Sequence, residues 1–374
     1  MGHTDPFGVG AASSRSTRVH GKLTIYTAVN RKNISLRNAF AIMMMLKESF
    51  GRGTIIMIEK RGLIIHPHEL DESWLERFKS LQLNVLGLHP VGGTNASESL
   101  QNMLDHWTQM KPLIDQAEEM GITVEFEMHA LGYLMPKAQF TNHPDWFCMN
   151  ENGERTADSY NICASNPEGL EALSESAARL ARILPSKDHL YYFWLDDVVN
   201  CSCHCERCKV LTPSDQQMIL VNAMQKGIRR VDPQGCMAYL AYLDTLAAPV
   251  HVKPDEGVFL EFAPIHRSVN HAINDASCEE NVKESASLPS LLKTFGTKNA
   301  KVLDYWTDNS LFSGWKYPPK AFRLNAEIMK RDVAYYHALG FESLTAFGCY
   351  LGKDYIDLHG VPDLDGYREA MMEE

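Results

Sequence analysis

Eight short β-branched or aromatic runs recur along this chain, most of them giving way to a stretch of helical periodicity. That alternation constrains the fold more than any single motif. The runs are RGLIIHPH (61–68), NVLGLHP (84–90), TVEFEMHAL (123–131), LYYFWLDD (190–197), CMAYLAYL (236–243), VFLEFAPIHR (258–267), KVLDYWTD (301–308) and ESLTAFGCYL (342–351). Helical patterns follow most of them: one capped by Asp71, a long one over 97–121, and others over 166–184, 213–231 and 318–340. The link between the fifth and sixth runs holds no helical pattern. Strands alternating with helices predict a parallel sheet, and eight such units predict a (β/α)₈ TIM barrel with an incomplete helix after strand five. A doubly wound sheet is the rival, but no glycine-rich phosphate loop follows any strand.

The barrel is expected over 61–374. A small α/β extension is expected over 22–60, and a disordered Gly/Ser-rich tail over 1–21. A hydrophobic fraction of 45% supports a large core, and the formal charge of −11 argues against a nucleic-acid partner. No apolar run reaches membrane-spanning length, so no membrane span is expected. Oligomeric state and compartment are not legible.

In a barrel of this type chemistry gathers at the carboxyl ends of the strands. The polar residues late in each run are therefore the candidates: His66, His68, His89, Glu127, His129, Asp196, Asp197, Glu261, Asp304, Asp308 and Tyr350. Glu125, Glu127 and His129 share one face by period two, and Asp304, Trp306 and Asp308 another, with Tyr305 opposite. Glu125, deeper, reads as an interior ion pair. Carboxylates and aromatics converging on one rim suit glycosidic-bond hydrolysis. One acid protonates the leaving oxygen, a second group acts as nucleophile, base or orienter, and aromatic faces stack on the sugar. Asp196, Asp197 and Glu261 are the expected catalytic residues, Trp194 a rim or core residue. The connection over 131–166 is long and aromatic, and reads as a folded lid whose Trp146 contacts substrate.

Cys201, Cys203, Cys205 and Cys208 directly follow the aspartates. Two structural roles fit, one zinc held by four thiolates or two disulfides; either would stiffen the catalytic loop. The expected reaction requires no cofactor.

The stretch NPEGLEAL…YYFWLDDVVNCSCHCERC, followed by the PSDQQMILVNAMQKGI helix, resembles DUF4838, a domain similar to glycoside hydrolase family 163. The resemblance implies a (β/α)₈ barrel acting as an endo-β-N-acetylglucosaminidase on a carbohydrate substrate, with retention and assistance from the substrate's acetamide. It further implies Asp196 as orienter of the acetamido group and Asp197 as general acid. This chain has two aspartates where the related barrels have aspartate–glutamate, so either the substrate sits deeper or the acid lies elsewhere, with Glu261 the leading substitute. Two other readings stand beside this one. One is a metal-dependent barrel hydrolase built on His66 and His68 with His266 and Asp304. The other is a non-catalytic carbohydrate-binding barrel.

Overall fold

The computed structural model describes residues 57–157 and 161–372; the expectations for 1–56 lie outside them. Eight parallel strands close into a barrel in chain order, with the last paired to the first. They are β1 (Lys60–Ile65), β2 (Val85–Leu88), β3 (Thr123–His129), β4 (Leu190–Trp194), β5 (Cys236–Ala241), β6 (Val258–Phe262), β7 (Lys301–Asp304) and β8 (Ser343–Phe347). The (β/α)₈ expectation holds.

The principal helices are α1 (Glu72–Ser80), α2 (Ala96–Asp105), α3 (Trp107–Glu119), α4 (Pro167–Ile183), α5 (Pro213–Ile228), α6 (Glu279–Ser285), α7 (Leu288–Phe295), α8 (Ala326–Ala338), α9 (Lys353–His359) and α10 (Asp365–Met371). Their starts are written locally. Asp71 accepts from Trp74 N, Asn166 accepts from Gly169 N with Pro167 next in line, and Thr212 forms a capping box with Asp215 before Pro213. The single helix expected over 97–121 is two. His106 leaves the helical region (φ −96°, ψ 10°), and its Nδ1 donates to Asn102 O at 2.8 Å, closing α2.

After β5 there is only a 3₁₀ turn, Leu243–Thr245, before β6. The missing helix is replaced by a side chain. Buried Asp215 accepts three consecutive backbone N–H groups through Oδ1, from Val250 at 2.8 Å, His251 at 2.7 Å and Val252 at 3.0 Å. Backbone polar groups that no helix satisfies are thereby paired. Helices α4 and α5 pack closely because Gly227 has no side chain; a Cβ there would lie 1.9 Å from Ser174 O.

The strand register fixes which residues face the axis. The pairs Ile64↔Phe347, Gly87↔Glu125, Glu127↔Tyr192, Leu240↔Glu261, Glu261↔Lys301 and Leu303↔Thr345 form the inner rows. Apolar inner residues include Ile64, Leu190, Ala238, Leu240, Phe259 and Leu303. Among them lies one charged layer. Lys301 Nζ is 2.6 Å from Glu125, 2.7 Å from Glu127 and 3.9 Å from Glu261, all essentially without exposure. Tyr192 OH donates to Glu125 at 2.9 Å and Trp194 Nε1 to Glu261 at 2.7 Å. Three carboxyls face one ammonium, so charge cannot balance with all three ionised. Burial pushes Glu127 well above the usual carboxylate range and Glu261 to about 7, against the pull of Lys301.

This placement moves four candidates away from the rim. Glu127 and Glu261 belong to the interior layer and have no exposed surface. On β7 the period of two is as read, but its phase is inverted: Lys301, Leu303 and Tyr305 face the axis. Asp304 and Trp306 therefore face the helical layer. Asp304 pairs with Arg267 at 3.0 Å and accepts from Tyr336 OH of α8, and Trp306 Nε1 donates to Asp332 of the same helix at 2.9 Å. Both side chains are engaged in the layer between β7 and α8. The sequence pattern contained the alternation but nothing to say which face was inward.

Candidate active site

The tips of β1, β2 and β3 carry a row of histidines joined by one repeated hydrogen bond. His66 Nδ1 donates to His89 O at 2.9 Å, His89 Nδ1 to Glu127 O at 2.8 Å, and His129 Nδ1 to Leu195 O at 2.6 Å. A carbonyl only accepts, so each Nδ1 carries a proton and donates it. Burial lowers His66 to about 4 and His89 well below its ordinary value, so both rings are neutral near neutral pH. The ring centroids step 5.9 and 5.7 Å along the row. Trp194 and Phe347 pack against His89 at 5.5 and 5.2 Å, and Trp194 against His129 at 5.1 Å. Trp194 is thus the floor of the mouth, tied below to Glu261.

Beyond β4 the two aspartates are held differently. Asp197 accepts from Tyr242 OH at 3.0 Å through Oδ1 and from Gly93 N at 3.0 Å through Oδ2. Asp196 accepts from Gly132 N at 2.9 Å through Oδ1, and among the described residues its Oδ2 has no hydrogen-bond partner. Burial raises Asp196 to about 6, with the charge of Asp197 adding to the shift and the Gly132 bond opposing it. Two glycines make these positions reachable. A Cβ at Gly92 would come within 2.8 Å of Asp197 Oδ2, and one at Gly132 within 3.2 Å of Asp196 Oδ2.

Asp196, His129 and Tyr242 line one pocket together with Cys148, Val198, Cys201 and Asp244. Asn200 N donates to Asp244, tying the loop after β4 to the loop after β5. Across the mouth, His68 stacks on His66 at 5.5 Å, and Tyr350 meets His66 at 6.1 Å and half-exposed Tyr317 at 4.2 Å. Glu69 holds this side in place: Oε1 accepts from Tyr350 N at 2.8 Å and Oε2 from His66 N at 3.2 Å.

The remaining candidates are structural. Asp308 is buried and caps the single turn that follows it, accepting from Ser310 N and Leu311 N. Trp146 stacks on His143 at 3.9 Å and packs against Gly169 of α4, so its indole is not a wall of the pocket. The metal-hydrolase set does not assemble: His266 lies 3.7 Å from Glu284, and Asp304 is paired with Arg267.

None of the nine cysteines is in a disulfide. The thiols of Cys203, Cys205 and Cys208 gather as expected, but the fourth is Cys163 from the 131–166 connection. Cys201 instead lines the pocket near Asp196, its Sγ 3.3 Å from Val199 O. Spacing along one loop could not reveal a partner about 40 residues upstream.

Tyr242, Tyr317, Gly92 and Gly132 were not singled out from the sequence. Tyr242 had a signal: it continues the inward row Ala238, Leu240 one step past β5. The glycines had none, because their role depends on what lies across the mouth.

Fold and mouth together define a (β/α)₈ barrel with acidic, imidazole and aromatic groups around one opening. The model of a family described as "Domain of unknown function (DUF4838)" matches residues 93–355, and the chain belongs to that family. No curated protein matches it. Solved structures similar to it include a cold-adapted β-galactosidase from Rahnella sp. R3 (13% identity, TM-score 0.49, 86% of this chain and 55% of that one). Others are endo-glycoceramidase II from Rhodococcus sp. (11%, 0.49, 78% and 73%) and a glycoside hydrolase family 5 enzyme from Prevotella bryantii B14 (13%, 0.47, 84% and 95%). The chain thus spans little more than half the length of the Rahnella enzyme.

Proposed function

We propose that this chain hydrolyses glycosidic bonds at the barrel mouth, with Asp196 as general acid. The observation that carries the reading is the asymmetry of the two aspartates. Asp196 has an oxygen with no hydrogen-bond partner among the described residues and a carboxyl lifted to about 6 by burial, so it holds a proton in mildly acidic solution, below about pH 6. Asp197 has both oxygens fixed by donors, Tyr242 OH and Gly93 N, so its carboxyl is held in one orientation. This division of labour is the reverse of the one the family 163 resemblance implies.

The favoured substrate is a β-linked N-acetylhexosamine in a glycan, cleaved with retention. The acetamide oxygen attacks the anomeric carbon while Asp196 protonates the leaving oxygen. Asp197 holds the acetamide N–H and balances the charge that develops on the ring. Water, deprotonated by the Asp196 carboxylate, then opens the cyclic intermediate. Neutral His66 and His89 offer Nε2 acceptors for sugar hydroxyls, and the Tyr350–Tyr317–His68 wall offers a face for stacking.

The test is turnover of aryl β-glycosides and complex N-glycans, with a thiazoline analogue of N-acetylglucosamine as inhibitor. The reading expects cleavage of N-acetylhexosaminides and inhibition by the thiazoline. Sugar binding with no turnover on any glycan would leave the non-catalytic carbohydrate-binding reading in its place.

A further inference from the structure

The thiol cluster beside the mouth is built as a metal site. The Sγ atoms of Cys163, Cys203, Cys205 and Cys208 all lie within 4.8 Å of one another, and all four residues are buried. Cys163 Sγ is 3.7 Å from Cys205 Sγ and 3.9 Å from Cys208 Sγ. A disulfide requires about 2.05 Å. A zinc ion bound by four thiolates at about 2.3 Å places its sulfurs about 3.8 Å apart along the edges of the tetrahedron. The local chain has the matching form: Cys205 and Cys208 sit at C-x₂-C spacing in a tight turn, with the N–H groups of Cys208 and Lys209 both donating to Cys205 O at 2.9 Å.

The surroundings are those of a negatively charged sulfur centre. Four thiolates around one divalent cation leave a net charge of −2, and the neighbouring groups are donors. Met149 N donates to Cys203 Sγ at 3.4 Å, the Arg155 guanidinium lies 3.9 Å from Cys163 Sγ, and Ser165 Oγ is 3.4 Å from Cys205 Sγ. The Arg155 side chain is itself held by Phe147 O.

We infer that Cys163, Cys203, Cys205 and Cys208 bind one zinc ion, which clamps the 131–166 connection to the loop that carries Asp196 and Asp197. Three ligands come from the loop after β4 and one from the connection, so the ion joins two walls of the mouth that the Gly132 N–Asp196, His204 N–Met149 O and Asn161–Cys201 O hydrogen bonds also join. Cys201, despite its place in the same sequence cluster, is not a ligand. The inference is independent of the hydrolase reading.

The experiment is elemental analysis of the chain purified reduced and without chelators, followed by replacement of the native ion with cobalt. The expected result is roughly one zinc per chain, and for the cobalt form the intense ligand-field and sulfur-to-metal charge-transfer absorption of a tetrahedral thiolate site. Cys201→Ser should keep the full equivalent, and Cys163→Ser should lose most of it. Should Cys163→Ser fail to fold, the wild-type stoichiometry, the cobalt spectrum and Cys201→Ser still decide. Chelator should expose protease cleavage sites within 148–166 and 198–211 that the metal-loaded chain protects. A wild-type chain with under roughly a tenth of an equivalent of zinc and no uptake of added zinc or cobalt would overturn the inference. So would two disulfides in the intact mass, iron in place of zinc, or loss of the ion in Cys201→Ser.

Discussion

Asp196 Oδ1 sits 2.9 Å from the Gly132 amide, while its Oδ2 has no hydrogen-bond partner among the described residues in the pocket that His129 and Tyr242 also line. One oxygen anchors the carboxyl and the other is available to give or take a proton. If Asp196 is the acid, Asp196→Asn should lower kcat/KM on a glycan by about 10²–10⁴-fold. On an aryl glycoside, whose leaving group needs no protonation, the loss in the first step should be far smaller. Equal losses on both substrates would remove Asp196 from that role.

The same carboxyl sets a pH limit. Burial raises it to about 6, and the acid must be protonated to act. The protonated form should therefore be lost as pH rises through about 6, so kcat/KM on a glycan should fall above that value. A profile flat from pH 5 to about 8 would contradict the assignment.

Tyr242 OH holds Asp197 Oδ1 at 3.0 Å and ties the tip of β5 to that of β4. Removing one hydrogen bond to a charged group costs about 1.5–3 kcal/mol. Tyr242→Phe should thus reduce kcat/KM by roughly 10- to 100-fold while the melting temperature moves by only a few degrees. A variant with wild-type kinetics would show that Asp197 needs no such anchor.

Among the described residues Lys301 is the one cation in the interior carboxyl layer. Lys301→Met should destabilise the barrel by about 3–5 kcal/mol, because the facing carboxyls lose their counter-charge. The carboxyls themselves contribute a pH dependence of definite sign. Glu261 is raised from 4.5 to about 7, so its contribution to stability is full below 4.5 and is lost as pH rises through about 7. Urea unfolding of Lys301→Met should show its largest deficit near neutral pH and a smaller one near pH 4.5. A deficit that does not change with pH would mean the layer is not titrating.

Gly227 meets the backbone of Ser174 with no room for a methyl group, the hypothetical Cβ lying 1.9 Å from Ser174 O. Backbone cannot move aside as a flexible side chain can, so α4 and α5 must separate. Gly227→Ala should lose about 1–3 kcal/mol in chemical denaturation despite the better helix propensity of alanine. A neutral or stabilising outcome would show that this helix pair repacks freely.

What the chain wrote locally is extensive. The alternation of strand and helix patterns, the caps at Asp71, Asn166 and Thr212, and the paired aspartates at the end of β4 are all properties of short segments, and short segments state them directly. The absence of a helix after β5 was equally legible. Tertiary structure decided what depends on the partner across a gap. It chose the phase of β7, turning Lys301 inward to three distant carboxyls and Asp304 outward to Arg267. It exchanged Cys201 for Cys163 in the thiol cluster, and it gave Asp196 and Asp197 their different anchors at Gly132 and Tyr242. Periodicity fixes that a side chain alternates, but which face is buried, and beside what, follows only when eight strands close and the charges inside must find one another.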